Sequence, residues 1–113
     1  MTKSYHPALL SGRWQQFSLS EQLANIGSEV GRVALAKEKG DVDRSHYAYG
    51  RALELVDATI ADPRWIKTHR LTELKRIREL LVDYGVGSNK YANSKESWDR
   101  YFLPFNYAAR AGR

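Results

Sequence analysis

From Leu19 the apolar residues Leu23, Ile26, Val30 and Val33 follow at steps of four and three, the repeat that keeps one stripe of an α-helix facing inward. Ser18 and Glu21 form a Ser-x-x-Glu capping box at its start, and Gly40 is placed to end it. Beside this stripe runs a second one of small residues, Ala24, Gly27, Gly31 and Ala34. Glycine weakens a helix interior by up to about 1 kcal/mol, so two on one face predict the close approach of another backbone. Asp41 or Asp43 caps a second helix that runs to about Ala61, with Tyr49, Leu53, Val56 and Ile60 on its apolar face. The turn between the two is so short that they must lie antiparallel. Asp62 followed by Pro63 is an N-cap with proline at the first helical position, which predicts a third helix from Pro63. Ile66, Leu74, Ile77, Leu81 and Tyr84 form its buried arc, and Gly85 and Gly87 its stop. A polar loop then leads to a fourth helix, capped by Asn93 or Ser94, that carries Trp98, Tyr101, Phe102, Phe105 and Tyr107. Pro104 should kink or interrupt it.

Residues 1–17, with Pro7 and Gly12, show no sustained period and read as an extended N-terminal arm ahead of one helical domain, 18–113. Together these elements predict an all-α antiparallel bundle of about four helices. The aromatic residues of the fourth helix either close its core or stand out as an assembly surface.

Composition narrows the function classes. Apolar residues make up 42% and charged residues 27%, the balance of a chain that folds. There is no cysteine, which excludes disulfides, thiolate zinc sites, iron–sulfur clusters and cysteine nucleophiles. No stretch has the apolar run of a membrane span or the pattern of a signal peptide, so the expected setting is the cytoplasm, away from membranes. The net charge of +5 is unevenly spread: Asp41 to Asp62 holds five acidic residues against two basic, and Arg64 to Asp83 six basic against three acidic. On a helix beginning at Pro63, Arg64, Lys67, Lys75 and Arg78 fall within an arc of about 80° at about 100° per residue. Lys37, Lys39 and Lys90 lie off this stripe, at a helix end and in a loop. Such a stripe predicts contact with phosphates, hence RNA or DNA as ligand, with Arg100 and Arg110 extending it. The competing reading is a solvated face supported by Lys75 and Glu79 at i, i+4.

Signals for catalysis are sparse. His6, His46 and His69 lack metal-ligand spacing, and no Walker loop, dinucleotide fingerprint or Gly-x-Ser-x-Gly elbow occurs. No cofactor and no metal are therefore expected. Asp41 with Asp43, and Glu54 with Asp57, are accounted for as caps and solvation. Arg64 and His69 resemble the Arg-x4-His spacing of HEPN-type helical ribonucleases, in which arginine steadies phosphate and histidine assists the 2′-hydroxyl. With eleven arginines and three histidines in the chain, roughly one such match arises by chance.

Two further segments carry resemblances. Lys39 to Leu55 resembles the turn and second helix of a tetratricopeptide repeat at Gly40, Tyr49, Ala52 and Leu53, but no second copy follows, which leaves a helix hairpin. Asn25, Ile26, Gly31 and Arg32 resemble the Asn-Ile-x-x-x-x-Gly-Arg segment of the small basic four-helix-bundle proteins of 23S rRNA intervening sequences. Relatives of those proteins are accessory variability determinants of diversity-generating retroelements. That resemblance implies a homo-oligomeric ring whose basic surfaces meet nucleic acid and a protein partner. The leading expectation is thus a non-enzymatic, basic helical accessory or scaffolding protein associated with RNA or DNA. A protein–protein interaction module and a HEPN-like ribonuclease are the alternatives.

Overall fold

The computed structural model describes residues 4–111, so the first three residues of the expected arm and the last two of the expected domain lie outside them. Four long helices carry the chain: α1 (Leu19–Glu38), α2 (Val42–Ile60), α3 (Arg70–Gly85) and α4 (Lys95–Ala111). No strand occurs among the described residues. Helix α1 packs against both α2 and α4, while α2 also packs against α3. Their apolar faces meet in one core, with Ile26, Val30 and Val33 from α1, Leu55 and Val56 from α2, Leu74, Ile77 and Leu81 from α3, and Trp98 and Phe102 from α4.

Local signals set the ends of the first hairpin. Ser18 Oγ accepts from the Glu21 backbone N–H at 3.1 Å, and Glu21 Oε1 accepts from the Ser18 N–H at 2.9 Å, completing the capping box. At the far end Gly40 takes φ of 70°, a left-handed conformation that glycine adopts without penalty. This lets the Asp41 N–H reach back to the Ala36 carbonyl at 2.9 Å, closing the helix as a Schellman turn. Asp41 then caps α2 by accepting from the Arg44 N–H at 3.1 Å.

The structure revises five expectations. The N-terminal arm is not extended: it winds into helical turns over Leu9–Arg13 and Trp14–Gln16. Trp14 is its anchor, 2% exposed, and the Glu54 carboxylate holds its beginning by accepting from the Tyr5 and His6 N–H groups at 3.0 and 2.7 Å. A segment that sends one large side chain into the core shows no period in its sequence. The third helix begins at Arg70, not at Pro63. Residues 63–69 form successive turns, in which the Trp65, Thr68 and Leu71 N–H groups donate to the carbonyls three residues back, and Thr68 Oγ1 captures the Arg70 N–H at 3.2 Å. The Thr68 side chain here competes with the helical ladder for the backbone. Ile66, placed on the buried arc of the longer helix, is therefore left 46% exposed.

On α2 the fully buried face is Ser45, Ala48, Ala52, Leu55, Val56 and Thr59, and Tyr49, Leu53 and Ile60 are only half-buried. Small residues on that face let α1 come close, and Tyr49 instead covers Gly85, where a Cβ would overlap its ring. The small-residue stripe of α1 divides in two. A Cβ on Gly27 would lie 2.7 Å from Phe102 Cγ, whereas one on Gly31 would meet open space. Finally, of the kink or interruption expected at Pro104, the interruption does not occur, and α4 continues through it.

Candidate nucleic-acid interface

The four residues of the expected stripe do not share a helical face. Arg64 and Lys67 stand in the turns before α3, and only Lys75 and Arg78 belong to the helix. Arg64 is occupied: its Nη2 donates to Asp62 Oδ2 at 2.7 Å and to the Phe17 carbonyl at 2.8 Å, with the guanidinium over the Trp65 ring at 4.6 Å. Arg78 Nε reaches across to α2 and donates to Asp57 Oδ1 at 2.7 Å. Lys67 and Lys75 are exposed. The rest of the α3 surface mixes signs, with Arg70 beside Glu73 at 3.5 Å and Arg76 on Glu79 at 2.7 Å. His69 precedes the first turn of α3, so neither member of the Arg64–His69 pair lies within a helix.

What holds Arg64 is a buried polar cluster that ties four segments together. Asp62 is fully buried and accepts from Gln22 Nε2 at 3.1 Å as well as from Arg64. Gln22 also donates to the Trp14 carbonyl at 2.9 Å and accepts from Trp65 Nε1 at 3.0 Å, while Trp14 Nε1 donates to Thr59 Oγ1 at 3.0 Å. Burial pushes the Asp62 carboxyl upward, but the hydrogen bonds from Arg64 and Gln22 outweigh it and hold the group below its ordinary value. The buried side-chain donors and acceptors of the cluster are matched internally.

A different basic surface opens on the α1–α2 hairpin. Arg32 and Lys39 from the α1 side, with Arg44 and Arg51 from α2, frame a groove of about 520 Å³. Its floor is apolar, made by Leu35, Ala36 and Ala48, and Tyr47 stands in its wall with 57% of its surface exposed. Each helix contributes residues at i, i+3, i+4 and i+7, a spacing that places all four on one face. The patterns Arg32-x-x-Leu35-Ala36-x-x-Lys39 and Arg44-x-x-Tyr47-Ala48-x-x-Arg51 are the same arrangement of cation, apolar residue, alanine and cation. Run antiparallel through a tight turn, they bring Arg32 near Arg51 and Lys39 near Arg44.

Glu29, 5% exposed, organises one end of this groove. Arg51 grips it with two parallel bonds, Nε to Oε2 and Nη2 to Oε1, both 3.0 Å, and Arg32 Nη1 adds a third contact at 3.1 Å. Burial raises the Glu29 carboxyl, yet Arg51 and Arg32 overcome that and leave it below its usual range; the hydrogen bonds to Glu29 in turn raise Arg51. At the other end Arg44 lies 3.7 Å from Asp41 and is 74% exposed. Four cations thus face two carboxylates. Arg51 further covers the Tyr47 ring at 5.8 Å, and Tyr5 meets it edge-on at 5.4 Å, so the ring is held while remaining open to solvent.

Among the described residues no three histidine, aspartate or glutamate side chains are placed to share a metal ion, and no helix is long and apolar enough to cross a membrane. Of the Asn-Ile…Gly-Arg residues, Ile26 is in the core, Asn25 bonds the Glu21 carbonyl at 2.8 Å, Gly31 borders open space, and Arg32 joins Glu29. No family model, curated protein or solved structure matches the chain.

Proposed function

We propose that this protein is a non-enzymatic cytoplasmic accessory or scaffolding protein that associates with RNA or DNA, and that the α1–α2 hairpin is its binding surface. The observation that carries this reading is the excess of cations over carboxylates around an open apolar groove, whereas Arg64 is spent on the buried Asp62 and Arg78 is paired with Asp57 at the surface. Lys67 and Lys75 remain as outlying contributors. The ribonuclease alternative loses its main support with Arg64, whose guanidinium is turned inward onto Asp62 and the Phe17 carbonyl. A protein-interaction role is favoured by Leu103 and Tyr107 of α4, 47% and 61% exposed.

Fluorescence anisotropy with labelled RNA and DNA oligonucleotides tests the proposal. Binding should weaken steeply with salt, with a log–log slope of roughly −2 to −3 if three or four cations displace counterions from a single strand. Absence of binding to every oligonucleotide at low salt would transfer the role to the protein-interaction surface.

A further inference from the structure

Resting on that reading, we infer that the α1–α2 groove takes single-stranded nucleic acid, with one unpaired base laid on Tyr47. The surface is built for an amphipathic anion. A duplex offers phosphates but keeps its bases stacked inside, so it would satisfy the rim and leave the apolar floor of Leu35, Ala36 and Ala48 uncovered. An unpaired nucleotide satisfies both parts, its base on ring and floor and its phosphates on the cations. The volume of about 520 Å³ lies within the span of roughly 300–1,000 Å³ that suits one small molecule, enough for a base with its sugar.

The ring is also prepared for this task. Tyr5 and Arg51 hold Tyr47 in place, so little side-chain freedom is lost when a base stacks on it. Arg51 is fixed by its two bonds to Glu29 and acts as a prop for the ring. The cations left to meet phosphate are Arg44, with 74% of its side chain exposed, Arg32, with 61%, and the exposed Lys39. Arg32 and Arg51 divide one carboxylate between them, which leaves positive charge at that end of the groove. Lys39 and Arg44 flank the turn, so a strand crossing the hairpin meets cations at both ends and the ring between.

The experiment compares one RNA sequence as a single strand and as a duplex, bound to the wild type, Tyr47→Phe and Tyr47→Ala, with circular dichroism and thermal melting confirming that each variant is folded. The single strand should bind about tenfold or more tighter than the duplex. Tyr47→Ala should cost the single strand about tenfold and leave the duplex unchanged, while Tyr47→Phe stays within about twofold of wild type. If single strand and duplex bind alike and Tyr47→Ala changes neither, the stacking site is wrong while nucleic-acid association stands. If neither form binds, both proposals fall together.

Discussion

Two carboxylate–arginine pairs lie along α1, one against its start and one at its middle, and they differ in what remains for an outside partner. At the start of the helix, Asp62 is fully buried and Arg64 is taken up by it and by the Phe17 carbonyl, with Gln22, Trp14 and Trp65 completing the bonds. At its middle, Glu29 is nearly as buried but is shared by two arginines, and Lys39 and Arg44 stand on the open rim at the other end of the same groove. The first pair is a lock between segments; the second belongs to a surface with charge to spare. An arginine in the sequence announces a charge, and only its surroundings decide whether that charge is already used.

Breaking the lock should have the largest effect on stability. Trp14→Ala removes the anchor of the N-terminal turns, leaves Thr59 without its donor, and should cost about 3–5 kcal/mol in chemical denaturation. Affinity for nucleic acid should be unchanged wherever the variant is folded. Next comes Asp62→Asn, which keeps the shape but removes the charge that Arg64 and Gln22 serve; about 2 kcal/mol should be lost near neutral pH. Its pH dependence is the sharper readout. Asp62 and Glu29 are both held below their ordinary values of 3.8 and 4.5. Their contribution is therefore complete above those values and fades as the pH falls through the lowered ones. Denaturation followed from pH 6 to about pH 2 should show a shallower acid loss in Asp62→Asn than in wild type. Equal slopes would mean that the carboxylate is not serving the fold.

Smaller effects of opposite sign are expected from the two helical glycines of α1. Gly27→Ala forces a methyl against Phe102 and should destabilise by about 1 kcal/mol despite alanine's better helix propensity. Gly31→Ala meets nothing and should stabilise by about 0.5–1 kcal/mol. Thermal melts of the pair check this directly, and two shifts of the same sign would show that the face is packed uniformly.

The sequence makes visible those features whose cause lies within a few residues. The Ser18–Glu21 box, the Gly40 turn and the Asp41 cap each join neighbours in the chain, and each forms as expected. The start of α3 is misread because Asp62 and Pro63 look like a cap and first turn, while Asp62 is drawn into the core by Gln22 of α1, forty positions earlier. The arm is misread for the same reason, since Thr59 of α2 holds the Trp14 ring that anchors it. The groove lies between these cases. Lys39 looks like an isolated charge at a helix end, and only the repeated cation–apolar–alanine–cation spacing on both sides of Gly40 signals that two faces combine.

Charge reversal should have the smallest effect on stability, within about 0.5 kcal/mol for exposed side chains, and it tests the central claim that unspent cations define the site. Two double variants carry the same change in net charge: Lys39→Glu with Arg44→Glu in the groove, and Lys67→Glu with Lys75→Glu on the far side of Asp62 in the chain. Affinity for single-stranded RNA, measured at fixed low salt, should fall below detection in the first pair and stay within about threefold of wild type in the second. Equal losses in both would mean that the protein responds to total charge alone and that the α1–α2 groove is not a site.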